Sequence, residues 1–140
     1  MVVVLTVASF TLAACGSISA STAMSNWTKS SSFSSAVAQL TLDARHALSE
    51  LDVVSATPAQ LHTVCAVLDL ETLQANSALP TPDDQTTALI SKAYTDLGDG
   101  ANECYVASGS FAKRDRAIAY IRRAGAELSE AQARVEALRG

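Results

Sequence analysis

Asp43 and His46 stand three residues apart in a stretch with helical apolar spacing. That is half of the carboxylate-and-histidine motif with which helical bundles hold metal ions. A complete centre needs a second copy and two further inward carboxylates, and the other histidine, His62, has no acid three positions before it. No metal and no cofactor is therefore expected, with both histidines exposed or capping. Asp96-Leu97-Gly98-Asp99-Gly100 has the look of a calcium loop, but oxygen ligands must alternate before the glycine and Leu97 falls on a ligand position. Serines are abundant without a nucleophile-elbow pattern, neither histidine has a partner identifiable from spacing, and the chain has no glycine-rich phosphate loop. An enzyme is not expected. The remaining candidate is a cluster of cations, Lys113, Arg114, Arg116, Arg122 and Arg123. Positive charge is unfavourable at a helix start, which suggests a use in contacting anionic lipid headgroups or an acidic envelope polymer. The plainer alternative is a solvated face on which Asp115 and Glu127 supply local pairs.

The elements that must position such residues begin after an apolar run. From Val2 to Ala14 there is no charge, and the run is shorter than the 20 or so apolar residues that a helix needs to span a bilayer. It ends in Leu12-Ala13-Ala14-Cys15-Gly16. These residues resemble the lipobox of bacterial lipoproteins: a leucine, two small residues, then cysteine. Where that family carries Lys or Arg before the apolar run, Met1 is followed directly by valines. The resemblance implies that residues 1–14 are a signal peptide cut before Cys15, and that Cys15 carries a diacylglyceryl group on its sulfur and an acylated amino terminus. Several acyl chains give firm anchoring where one is marginal. An ordinary secretory leader cut after Ala20 or Ala23 is the alternative.

Lipidation removes Cys15 from the thiol count and places the rest of the chain in an oxidising compartment. Cys65 and Cys104 are then an even pair, and a disulfide between them is the natural assignment. Apolar residues make up 49% of the chain while aromatics are only 5%, so the core must be built from Ala, Leu and Val, which favours helices over sheet. Net charge is −4; from Phe111 onward seven basic residues face four acidic ones, so the rest of the chain is strongly acidic. Nucleic-acid binding by the whole chain is not expected.

Residues 15–33, rich in Ser, Ala and Thr, read as the lipidated cysteine and a flexible tether with a reach of about 25 Å. Trp27 either docks on the domain or sits in the lipid interface. A helical domain follows over residues 34–140. Its first helix is expected from Ser34 to Leu51, on the spacing of Val37, Leu40, Ala44, Ala47 and Leu51. The second opens at Thr57 and Pro58, with Gln60 reaching back to the cap and Cys65 inward; Val67 and Leu73 widen its apolar stripe. Thr81 and Pro82 open a third, with a bend plausible at Gly98 and Gly100 and a stop near Gly109. The fourth, Lys113 to Leu138, has the cleanest pattern: Ala117, Ile121, Ala124, Leu128, Ala131, Val135.

Together these imply an all-α fold, an antiparallel up-and-down four-helix bundle with an inter-helix disulfide. At 1.5 Å per residue, a tight hairpin would leave Cys65 and Cys104 about 12 Å apart in height. The second helix is therefore expected to end near Gln74, with Asn76 to Thr81 climbing past it. The functional expectation is a lipid-anchored module on the outer face of the bacterial cytoplasmic membrane or in the envelope, binding or scaffolding an envelope protein or anionic polymer. A carrier of a small apolar ligand is the alternative, and an enzyme with a site invisible in sequence the third.

Overall fold

Thr57 shows how directly local chemistry sets an element. In the computed structural model, which describes residues 18–140, its hydroxyl accepts from the Gln60 backbone N–H while the Gln60 side chain accepts from the Thr57 N–H. Pro58 takes the first helical position, where a missing N–H is harmless. The helix so opened is one of five: α1 (Ala20–Ser30), α2 (Phe33–Asp52), α3 (Pro58–Asn76), α4 (Asp84–Tyr105) and α5 (Phe111–Arg139). The fold is all-α, with no strand among the described residues. The expected count of four helices is corrected to five.

The extra helix lies where a tether was expected. Ser19 caps α1 by accepting from the Thr22 N–H, and Met24 on its inner face is 1% exposed. Trp27 packs against Phe33 and donates from Nε1 to the Ala78 carbonyl, 2.9 Å away. It therefore docks on the domain. The turn into α2 is made at Ser32, whose φ of 51° is in the left-handed region. Cys15, the residue expected to carry lipid, lies outside the described residues.

From α2 to α5 successive helices run in opposite directions. Arg114, at the start of α5, meets the end of α2 at Leu51 and Val53, while Arg134, near the end of α5, meets Asp83 at the start of α4. Cys65 and Cys104 form the disulfide between α3 and α4, with Cα atoms 5.8 Å apart. From the bond, α3 continues for eleven residues and α4 extends back for twenty, a difference in height of about 14 Å. The segment Ser77 to Asp83 spans it, as the height argument requires. Helix α4 runs without a break through Gly98 and Gly100. Its N-cap is Asp83 rather than Thr81: the Asp83 carboxylate accepts from the Thr86 N–H and hydroxyl, and Asp is a better cap than Thr. The helix ends at Tyr105, short of Gly109, which makes the following turn with φ 72°.

Alternating small and large side chains let α5 approach α4 closely. Ala117, Ala124 and Ala131 alternate with Ile121, Leu128 and Val135, all buried, opposite Ile90, Ala93, Leu97 and Ala101. At the tightest point, a Cβ added to Gly100 would stand 2.7 Å from Ile121 Cγ1 and 3.3 Å from the Ile121 backbone nitrogen, whereas one added to Gly98 meets nothing within 4 Å. The two glycines therefore respond oppositely to the same change. Gly98→Ala should stabilise by about 0.5–1 kcal/mol through helix propensity. Gly100→Ala should destabilise, because overpacking costs roughly 1–3 kcal/mol. Urea denaturation of both variants checks the signs.

Candidate functional site

Helix α3 carries no Lys or Arg, and its only carboxylates are Asp69 and Glu71. At 100° per residue, Leu61, Cys65, Leu68 and Thr72 share one side, and all four are buried. On the opposite side stand Ala59, Thr63, Val67, Leu70 and Leu73, and none of these is charged. Leu70 is 65% exposed and Leu73 61%. The expectation that Val67 and Leu73 widen the inward stripe is thereby corrected: both face solvent, because the neighbours of α3 cover only one side of it. Beside this ridge a surface cleft of about 340 Å³ runs between α3 and α4, bounded by Ala66, Asp69, Leu70, Asn102 and Tyr105. The Tyr105 ring lies flat against His62, with centroids 4.0 Å apart. Val106, also exposed, lies on the other side of α4, in a polar cleft with Asp99, Glu103 and Tyr120 of α5.

The cation cluster is largely consumed within the molecule. Arg114 is buried, and its Nη1 donates to the Leu51 and Val53 carbonyls at 2.8 Å; it caps the negative end of α2, where a cation is favoured. Arg116 forms a two-pronged pair with Glu103. Arg123 does the same with Asp96, at 2.6 Å from Nη2 to Oδ1, while its guanidinium lies over the Tyr120 ring. Glu127, expected to serve a local pair on its own helix, instead accepts from Lys92. Among the described residues, Lys113 and Arg122 have no carboxylate within salt-bridge distance. Of the five clustered cations two are thus left without a partner, and at 100° per residue Lys113 and Arg122 stand on opposite sides of α5.

These pairs share a register that the sequence contains but reasoning along single helices misses. In Lys92–Glu127, Asp96–Arg123 and Glu103–Arg116 the two residue numbers add to 219, as antiparallel neighbours with constant stagger require. Arg134–Asp83, whose numbers add to 217, joins the same two helices at their far end, 2.9 Å apart. The cations of these pairs are partly exposed while Asp96 and Glu127 are buried; pairs open to solvent on one side add modestly one by one, and as a set they fix how α4 and α5 slide.

The pairs also set a dependence on acid. The Arg134 guanidinium, with the Thr86 hydroxyl and N–H, holds the Asp83 carboxyl well below the usual carboxylate range. Arg123 lowers Asp96 and Arg116 lowers Glu103. A carboxyl with a depressed folded-state pKa contributes stability above its unfolded value, near 4, and that contribution is lost as pH falls towards the folded value. Asp83→Asn should therefore be less stable at pH 7 and show a shallower decline between about pH 5 and pH 2. Denaturant titrations across that window test this; parallel curves for the two proteins would contradict it.

Asp43 is buried and accepts from the Gln39 amide, whereas His46 is exposed. Asp96 to Gly100 lies inside α4, so it is not a loop at all. Among the described residues no three His, Cys, Asp or Glu side chains are grouped to hold a metal, and no helix is long and apolar enough to cross a membrane. Leu40, Leu61, Leu68, Ile90, Leu97 and Ile121 fill the interior, each at most 1% exposed.

Fold and surface together define a disulfide-linked helical module with a filled core and an uncovered apolar face. Among known proteins, no family model, no curated protein and no solved structure matches the chain.

Proposed function

We propose that the chain is a lipid-anchored envelope protein whose helical domain is a binding or scaffolding module, and that α3 supplies its docking face. The observation that carries this reading is the pair Leu70 and Leu73, exposed on a side of α3 without charge. With Val67 they form an exposed apolar ridge on one side of α3, and grouped apolar side chains of this kind mark interaction sites where scattered single ones do not. The filled interior weighs against a carrier with an internal chamber. Consumption of Arg114, Arg116 and Arg123 in internal bonds weighs against an anionic polymer as the main partner. The anchor rests on the lipobox resemblance at Cys15.

Two measurements separate the parts of the proposal. A photo-crosslinking residue at position 70, in the native cells, should give a discrete adduct that disappears when Leu73→Glu is added, while the same probe at exposed Glu130 gives none. Equal labelling at positions 70 and 130 would remove the docking face. Independently, Cys15→Ser should move the protein from the membrane fraction to the soluble one; unchanged retention would remove the anchor.

A further inference from the structure

A second surface feature lies across the molecule from the α3 face, along the seam between α2 and α5. There Ala44 on one helix and Gly125 on the other leave a cleft of about 180 Å³. A Cβ on Gly125 would meet nothing within 4 Å, so the glycine is not there to permit close packing, as Gly100 is. The floor is apolar and belongs to the core: Leu40, Leu97, Ile121 and Leu128. From Arg122 to Gln132 along α5 the cleft spans ten residues, about 15 Å.

Its mouth is charged. Arg45 from α2 and Arg122 from α5 line the same cleft, both are exposed, and neither has a carboxylate within salt-bridge distance among the described residues. No acid stands three or four positions from either along its own helix, so neither has the local neutralisation usual on helix surfaces. Arg116, Arg123, Arg134 and Arg139 on the same helix all have partners. At the other end Thr41 and Ser129 spend their hydroxyls on backbone carbonyls of their own helices. The cleft is therefore polarised, with unmatched positive charge at one end and apolar floor towards the other.

We infer that this cleft binds a single-chain amphipathic anion of the medium-chain fatty-acid class, its carboxylate between Arg45 and Arg122 and its chain along Leu128 and Leu40. An anion that reaches both guanidiniums neutralises two cations lining one cleft and gains charge-assisted hydrogen bonds. At about 180 Å³, little above a cavity that accepts one benzene-sized molecule, the open cleft seats one slim chain with its outer side in solvent and has no room for a second. At about 1.2 Å of advance per bond in an extended chain, 15 Å matches about ten to twelve bonds. The inference is independent of the α3 docking face.

The test uses the full chain and a decanoate bearing a photoreactive diazirine, with adducts mapped by mass spectrometry. Labelling should be saturable, fall within Leu40 to Leu48 and Ile121 to Gln132, and be displaced by plain decanoate. Arg45→Gln with Arg122→Gln should weaken displacement by decanoate about tenfold and leave displacement by neutral decanol unchanged. Gly125→Leu fills the cleft with a better helix former than glycine, so it should abolish labelling in a protein that is still folded. The inference is overturned by adducts spread over the surface, by displacement equally sensitive for decanol and decanoate, by labelling that survives Gly125→Leu, or by displacement with two-chain phosphatidylglycerol vesicles and not with decanoate.

Discussion

Breaking the Cys65–Cys104 bond should lower the unfolding free energy by about 4 kcal/mol, the loss expected when a loop of about 40 residues is released in the unfolded chain. The two cysteines are 39 positions apart in sequence, and the loop between them contains most of α3, the Ser77 to Asp83 connection and nearly all of α4. That figure is a large part of the 5–15 kcal/mol by which small domains are usually stable. It matters more here because the core relies on alanine and medium-sized aliphatic side chains, with Phe33 and Tyr94 as its buried aromatics. Both cysteines are 0% exposed, so a reductant can reach the sulfurs only when the structure opens. Two comparisons isolate the cross-link from packing. Reduced protein keeps both sulfur atoms and loses only the tie, whereas Cys65→Ala with Cys104→Ala also leaves small voids and should be less stable still. Urea midpoints with and without reductant measure the first effect. A midpoint that does not move on complete reduction would show that the unfolded chain is not restrained by this link.

What could be read from the sequence was what is local or strictly periodic. The Thr57 cap needs only four residues, and the stripe from Ala117 to Val135 repeats without interruption, so both stand in the structure as expected. The cysteine pairing was legible through compartment and count. The outward turn of Val67 and Leu73 was not, because α3 is apolar on both sides and periodicity cannot say which side a neighbour covers. The cation cluster was misjudged for a related reason: Arg114 and Arg123 are on one helix in sequence, but their partners are on α2 and α4. Charges read along one helix cannot show this. Read across an antiparallel pair with a constant residue-number sum, three of the ion pairs become visible.

Met24→Ala should cost about 2–5 kcal/mol, the usual loss for truncating a fully buried methionine, where a flexible tether would lose nothing. The segment from Ala20 to Ser30 conceals its structure because its polar residues satisfy themselves: Thr28 donates to the Met24 carbonyl, and Ser30 and Ser31 donate to that of Trp27. Hydroxyls returned to their own helix cost little when packed, so a stretch of Ser, Thr and Ala can lie against a core with only Met24 and Trp27 as apolar anchors. Exposed Asn26, on the opposite side of the helix, provides the control, since Asn26→Ala should stay within about 0.5 kcal/mol of the parent. The result also bears on the proposed anchor. With α1 part of the fold, only Gly16 to Ser19 separate Cys15 from the first helix, and the domain would be held against the membrane instead of about 25 Å above it. Equal stability of the Met24→Ala and Asn26→Ala proteins would restore the long tether, detach α1 from the core and return the domain to that greater reach.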